Sequence, residues 1–217
     1  MINTEPKKIN SEIRVHELHH HVLVSWAELK KDLPSVITFD HHTDILKAFS
    51  RYCANNPYPA DAGEELTSDI KLLQHDEHFD YAIKYNLISS ALIVSHTPAV
   101  TEVCKNLQVL YNGDFAEDEP LNSEKFRRYA DCALEDDFLE QFLPYFPQEN
   151  YILDIDCDYF KTEKSLKPAK NRIFRSLMRN ARMVTFSREA DWVRLLTFEN
   201  MQTFTPEYII DCLCSNC

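Results

Sequence analysis

Glycine is nearly absent from this chain. Its 217 residues include only two glycines, Gly63 and Gly113, which lie far apart. Phosphate-binding loops such as GxGxxG and GxxxxGK[ST] need several glycines within a few positions, because the backbone must approach the phosphate closely. The sequence therefore excludes nucleotide-binding folds that depend on a glycine-rich loop.

The chain also lacks a long apolar run and an excess of positive charge. No stretch approaches the roughly 20 apolar residues that a membrane-spanning helix requires. The formal net charge of −12 disfavours the nucleic-acid backbone and anionic membranes as partners, and it favours the approach of a cationic ligand. We therefore expect neither a membrane nor a nucleic acid as a partner.

Cysteine is plentiful but gives no sign of a disulfide framework. The seven cysteines are odd in number, and the polar N-terminal segment MINTEPKKIN has no secretory signal. Disulfides persist mainly in oxidising compartments, whereas buried thiols behave as small apolar side chains. The sequence favours a reduced, cytoplasmic protein.

Short apolar segments alternate with segments of helical periodicity. Apolar side chains at helical spacing predict helices over 171–180 and near the C-terminus, where Thr205 and Pro206 have the pattern of a helix start. Continuously apolar strands are typical of parallel sheets covered by helices on both faces. We therefore predict a three-layer α/β/α sandwich with a mostly parallel sheet, in one domain spanning 1–217. The expected strands are 12–18, 35–40, 91–96, 108–112, 151–156 and 182–187.

Potential metal ligands follow the apolar runs of three predicted strands. Asp40, His42 and Asp44 have D-x-H-x-D spacing, which in an extended segment directs alternate side chains the same way. Asp154 and Asp156 lie on one side of an apolar run, where unpaired carboxylates are costly to bury. A cation would offset that cost, and so would nearby amides or basic side chains. An alternative role for Asp44 is to cap the next helix, without a metal ion.

A third ligand source is the histidine run 19–21, of which we expect one member to face an ion. Asp158 continues the D-x-D spacing, either as a further ligand or as a loop residue. Four carboxylates with two imidazoles exceed what a single zinc ion takes and suit two divalent ions, with manganese favoured over softer metals. Paired ions activate water at neutral pH, so the pattern predicts a hydrolase with two Mn²⁺ ions.

The order of these motifs resembles that of the arginase-type ureohydrolases. The segments ELHHHVLVSW, ITFDHHTDIL and YILDIDCDYF resemble most the compact peptide arginases, which convert arginine residues of ribosomally made peptides to ornithine. The resemblance covers residues 12–190 and depends on the three motifs in order. His20 and His21 remain alternatives for the first histidine. The ligands that the resemblance implies are His19, Asp40, His42, Asp44, Asp154 and Asp156.

The resemblance also implies roles around the metal ions. An acidic residue near the end of a late strand holds the guanidinium in this family, and Glu189 has that context. A glutamate that simply begins the next helix is the alternative interpretation. Asp158 is a second candidate for substrate binding. A histidine between the second and third motifs assists catalysis in the family, which makes His78 and His96 candidates.

The loop after Asp44 departs from the pattern of the enzymes that act on free arginine. Those enzymes use this loop to read the α-amino and carboxylate groups, whereas this chain continues as ILKAFSRYCANNPYPADAG. An internal residue of a peptide has neither group free. The resemblance therefore implies a peptidyl arginine substrate, with urea and ornithine as products. The alternatives are a ureohydrolase of free guanidines, a deacetylase of acyl-lysine, and a metal-binding adaptor without activity.

Overall fold

A computed structural model describes residues 11–98, 105–111 and 123–215 of the chain. Its strands form one six-stranded sheet in the order β1-β6-β5-β2-β3-β4, and all neighbouring strands are parallel. Helices flank this sheet, so the predicted α/β/α architecture is confirmed. The strands are β1 (Glu12–His16), β2 (Ser35–Asp40), β3 (Ser90–Ser95), β4 (Leu107–Tyr111), β5 (Tyr151–Asp156) and β6 (Met183–Ser187).

The helices cover both faces of the sheet. The last helix begins at Pro206, and Thr205 Oγ1 accepts a hydrogen bond from the Tyr208 amide at 3.3 Å, as the sequence predicts for this start. Within the described ranges, no helix has the length and apolar character needed to cross a bilayer. The α-helices are α1 (Leu23–Glu28), α2 (Ser50–Cys53), α3 (Leu66–Ile70), α4 (His78–Lys84), α5 (Glu124–Asp131), α6 (Asp136–Leu139), α7 (Arg172–Asn180), α8 (Ala190–Leu196) and α9 (Pro206–Ser215). Short 3₁₀ helices occur at His19–Val22, Glu140–Tyr145 and Cys157–Tyr159.

Alternate residues of the central strands serve two separate cores. Phe39 and Ile155 belong to the apolar core that includes residues of α7 and α9, whereas Val36 and Ile152 belong to the core that includes residues of α1 and α4. Because side chains alternate along a strand, the aspartates at even-numbered positions of β2 and β5 lie on the α1 and α4 face. The sequence thus directs its buried carboxylates to one side of the sheet.

The strand order of the sheet changes direction between the neighbouring strands β2 and β5. From β2 the chain proceeds to β3 and β4, whereas from β5 it proceeds to β6 on the other side. A crevice forms beyond the carboxyl ends of strands at such a reversal. Phe39 pairs with Ile155 across these two strands. The next residues, Asp40 and Asp156, therefore end adjacent strands at the place where the fold opens a site.

Candidate metal centre

Buried histidines and aspartates converge at the carboxyl ends of β2 and β5. Within each of three sets, one potential ligand atom per residue lies within 4.8 Å of the others. The sets are His19, Asp40 and Asp156; Asp40, His42 and Asp158; and His19, Asp44 and His78. Because the sets share residues, they form one continuous cluster.

His19 lies at the centre of the first half of this cluster. Its Nδ1 lies 3.0 Å from Asp44 Oδ2, 3.2 Å from Asp156 Oδ2 and 3.5 Å from Asp40 Oδ2. Burial alone would lower the pKa of His19, but the charges of Asp154 and Asp156 and hydrogen bonds to Asp154 and Asp44 raise it well above its usual value. Three carboxylates thus surround one imidazole nitrogen, which can donate at most one proton to them.

His42 forms the second half. Its Nδ1 lies 3.1 Å from Asp158 Oδ2 and 3.8 Å from Asp40 Oδ1, and its amide donates to Asp40 Oδ1 at 2.8 Å. Burial opposes protonation of His42, but the hydrogen bond to Asp158 and the charge of Asp158 raise its pKa. Asp158 is fully buried, whereas His42 is partly exposed. Asp40 is therefore common to both halves of the cluster.

The chemistry of these side chains fits divalent cations. Asp40 Oδ2 is buried and accepts no hydrogen bond within the described part of the chain. Burial and the charge of Asp44 raise the pKa of Asp40, and burial and the charge of Asp158 raise the pKa of Asp156. Carboxylates crowded in this way are costly to bury unless cations or protons neutralise them. A carboxylate-rich set with two imidazoles suits Mn²⁺ better than softer metals.

Asp154 lies one step deeper in the sheet and outside all three sets. Its carboxylate accepts hydrogen bonds from Thr38 Oγ1 at 2.8 Å, Thr185 Oγ1 at 2.5 Å and His19 Nε2 at 2.7 Å. Trp26 Nε1 in turn donates to Thr185 Oγ1 at 3.3 Å. When Nε2 of His19 carries the proton, its Nδ1 keeps a free lone pair directed at the other carboxylates. Partners of this kind fix the tautomer and orientation of a ligating imidazole.

The structure brings together five of the six predicted ligands and adds Asp158 and His78 to them. Only Asp154 stands apart, because its carboxylate is already fully hydrogen-bonded. Of the three adjacent histidines, His19 enters the cluster, whereas His20 packs edge-on against His21 with centroids 4.5 Å apart. The five are His19, Asp40, His42, Asp44 and Asp156.

His78 belongs to the third set of the cluster, with His19 and Asp44. Its ring packs against that of His19, with centroids 4.3 Å apart, and its Nδ1 lies 2.8 Å from the carbonyl oxygen of His75. Its Nε2 is buried and has no hydrogen-bond partner among the described residues. Burial and the charge of His19 lower the pKa of His78 well below its usual value. His78 is thus a neutral imidazole with one unused nitrogen.

His96 lies outside the three sets of potential ligands. Its ring stacks on Tyr159 with centroids 4.2 Å apart, and its Nδ1 is 3.4 Å from Nδ1 of His41. Burial lowers its pKa well below the usual value. Of the two histidines considered for proton transfer, the structure therefore brings only His78 into contact with a candidate ligand.

Glu189 contacts the cluster through the backbone. Its Oε1 accepts a hydrogen bond from the His19 amide at 2.8 Å, and burial raises its pKa. Glu189 and Asp44 both adopt left-handed backbone conformations, with φ of 40° and 46°. Such conformations cost on the order of 1 kcal/mol in a residue other than glycine and cluster at functional sites. Glu189 directly precedes α8, as in the alternative interpretation of a glutamate that begins the next helix, but it is 6% exposed and therefore not a surface residue.

Two further residues at the site have no signal in sequence spacing. Lys161 is fully buried, its Nζ donates to the carbonyl oxygen of Asp158, and burial lowers its pKa to about 8. Trp192 packs edge-on against His42 with ring centroids 5.1 Å apart. Trp192, His42 and Asp44 also line a cavity of about 730 Å³. The position of these two residues at the site can be recognised only from the folded structure.

A scan against models of known protein families finds no match to this chain, and a search of curated proteins finds none either.

Proposed function

We propose that this protein is a hydrolase with two divalent cations, preferentially Mn²⁺, that removes the amidino group of a peptidyl arginine as urea and leaves ornithine. The supporting observation is the carboxylate of Asp40, which lies in one set of potential ligands with His19 and in another with His42. A single ion would leave part of this oxygen-rich set without a cation.

The metal ligands in this proposal fall into two groups that share Asp40. His19, Asp44 and Asp156 belong to one group, and His42 and Asp158 belong to the other. Two cations bound there would supply a nucleophile from water at neutral pH and Lewis acidity toward the substrate. Asp154 holds His19 from behind and is not a ligand.

The remaining steps fall to residues around the cations. The carboxylate of Glu189 holds the planar N–H donors of the guanidinium, which suit a carboxylate fork. Attack at the guanidinium carbon breaks its bond to the side-chain nitrogen, and that nitrogen leaves as an amine after it takes up a proton. His78 transfers this proton, because its Nε2 is unpaired within the described residues and its ring contacts that of His19.

The walls of the cavity favour a peptidyl substrate over free arginine. Ile45 and Leu46, which follow Asp44, line the cavity next to the cluster. Ile45 and Leu46 offer no charge to an α-amino or carboxylate group, and the charged side chains of Arg51 and Asp76 in the same lining are paired with each other. An internal residue of a peptide has neither group free. The net charge of −12 favours entry of a cationic side chain.

One assay tests the proposal against its alternatives. Manganese-loaded protein is incubated with arginine, agmatine, an arginine-containing peptide and the same peptide with acetyl-lysine in place of arginine. We expect urea, and loss of one CH₂N₂ unit, from the arginine peptide alone, and no product with the Asp156→Asn variant.

The other outcomes each favour a different function. Urea from free arginine or agmatine favours a ureohydrolase of free guanidines, and loss of the acetyl group favours a deacetylase. Manganese binding without product from any of the four compounds favours a metal-binding adaptor and contradicts the proposal.

A further inference from the structure

The cavity beside the candidate metal centre is large enough for more than a single guanidinium group. Its volume is about 730 Å³, and pockets that enclose drug-sized ligands measure roughly 300 to 1,000 Å³. His42 and Asp44 of the cluster form part of its lining. This cavity therefore adjoins two residues of the candidate metal centre.

The wall nearest to His42 is aromatic. The indole of Trp192 lies 5.1 Å from the His42 ring and 6.1 Å from the His75 ring, centroid to centroid. Its helix, α8, begins directly after Glu189, whose carboxylate is anchored to the His19 amide. Trp192 thus lies three residues after Glu189 in the chain, in the first turn of α8.

The charges around the cavity favour a cationic occupant. Arg51, the one arginine among the described residues of its lining, is paired with Asp76, with Nε to Oδ1 at 3.1 Å. The Leu46 amide also donates to the Asp76 carbonyl at 3.0 Å, which ties this pair to the loop after Asp44. Since Arg51 is paired with Asp76, the carboxylate of Asp44 has no arginine or lysine partner among the described residues of this lining.

We infer that this cavity binds an arginine residue flanked by peptide bonds and that Trp192 determines this specificity by supporting the guanidinium and its aliphatic stem. This inference rests on the proposed function, which requires the guanidinium end of the arginine side chain to point toward the candidate metal centre. Guanidinium groups lie favourably over indole rings because the cation is attracted to the ring face and both groups are planar. A lysine ammonium is more strongly hydrated and does not stack in this way.

Binding is measurable without turnover. The probe is N-acetyl-arginine methylamide, an arginine between two peptide bonds, titrated by calorimetry into protein without added metal. We expect Trp192→Phe to bind it within about twofold of the unchanged protein, because an aromatic ring remains. Trp192→Leu keeps an apolar side chain without a ring, and we expect roughly tenfold weaker binding from it. Free arginine and N-acetyl-lysine methylamide are expected to bind more weakly than the probe.

Tryptophan emission gives a second measurement. The chain has two tryptophans, and Trp26 is fully buried in the core, so a change in emission on adding the probe reports on Trp192. Trp192→Leu should lose this change while its circular dichroism remains that of the folded protein. Absence of probe binding to the unchanged protein, or equal binding by the leucine and phenylalanine variants, would overturn the inference.

The inference and the proposed function can fail separately. Urea release from the probe by manganese-loaded protein, together with unaltered binding by Trp192→Leu, refutes the inference and supports the function. Probe binding that depends on Trp192, without urea release, supports the inference and contradicts the function.

Discussion

Two variants, Asp154→Asn and Asp156→Asn, test which of these aspartates binds metal and which one only orients a metal ligand. Asp156 belongs to the cluster that contains the unpaired oxygen of Asp40, whereas Asp154 is fully hydrogen-bonded to protein groups. The sequence pattern makes both aspartates ligands. The structure instead predicts different outcomes for the two variants. Asparagine is chosen because it preserves the shape of each side chain but removes its charge.

The size of each effect follows from the contacts. Asp156→Asn removes a carboxylate that lies with His19 and Asp40 in one set of potential ligands, so we expect metal binding to be lost. Asp154→Asn leaves every ligand in place but weakens the charged hydrogen bond to His19 Nε2, and loss of such a partner typically reduces metal affinity about 10- to 100-fold. At a metal concentration 100 times Kd, bound metal stabilises the fold by about 2.7 kcal/mol. The same relation gives about 1.4 kcal/mol after a tenfold loss of affinity and about 0.4 kcal/mol after a 100-fold loss.

Thermal unfolding over a manganese titration measures these differences, with calorimetry for the affinities. Without metal, Asp156→Asn should be at least as stable as the unchanged protein, because it removes one of several buried, mutually repelling carboxylates. Asp154→Asn should still gain stability with metal, but only at higher concentrations. If Asp154→Asn instead abolished metal binding as completely as Asp156→Asn, Asp154 would be a ligand and the placement of the two groups would be refuted.

Three further predictions concern stability away from metal. Tyr151 donates a hydrogen bond to the carbonyl oxygen of Leu177 and burial raises its pKa from 10.0 to about 12, so its stabilisation is complete below pH 10 and declines as pH rises toward 12. Chemical unfolding of Tyr151→Phe should show a cost of about 1 kcal/mol at pH 8 and a shallower decline above pH 10; an equally steep decline would contradict this. Gly63→Ala should lower the unfolding temperature, because Gly63 has φ of 90° and an added Cβ would overlap the ring of Tyr85; an unchanged temperature would contradict the geometry. Glu77 is buried and accepts hydrogen bonds from one hydroxyl and two amides, so Glu77→Ala should cost about 3 kcal/mol, measured by urea unfolding against the milder Glu77→Gln control.

The fold could be predicted because its signals are local. The apolar runs of β2 and β5 are bounded in the sequence where the strands are bounded in the structure, at 35–40 and 151–156. The start of α9 is equally local, since Thr205 caps the amides of the helix that Pro206 begins. In each case the information lies within a few neighbouring residues, so it does not depend on the rest of the chain.

The assignment of the third motif required information that no single segment contains. Asp158 lies beyond the end of β5, in the 3₁₀ helix Cys157–Tyr159, so strand alternation does not place it. For Asp154 and Asp156, alternation directs both side chains to one side but does not say which of them lies level with Asp40. The register of β2 against β5 decides this, because Phe39 pairs with Ile155. One sequence cue was available, since Asp40 and Asp156 are each the last residue of an apolar run, whereas Asp154 interrupts one.

The two tiers of carboxylates on this face of the sheet have different partners, which explains how the fold accommodates them. In the inner tier, Asp154 lies between Thr38 and Thr185 on the neighbouring strands, and both hydroxyls donate to it. In the outer tier, Asp156 lies beside Ser187 on β6, yet Ser187 Oγ has no hydrogen-bond partner among the described residues. Threonine hydroxyls thus complete the inner tier without a cation, whereas the outer tier keeps unused oxygens. A sheet that needed its aspartates only for structure would have no reason to leave the outer tier incomplete, since buried oxygens without partners cost free energy.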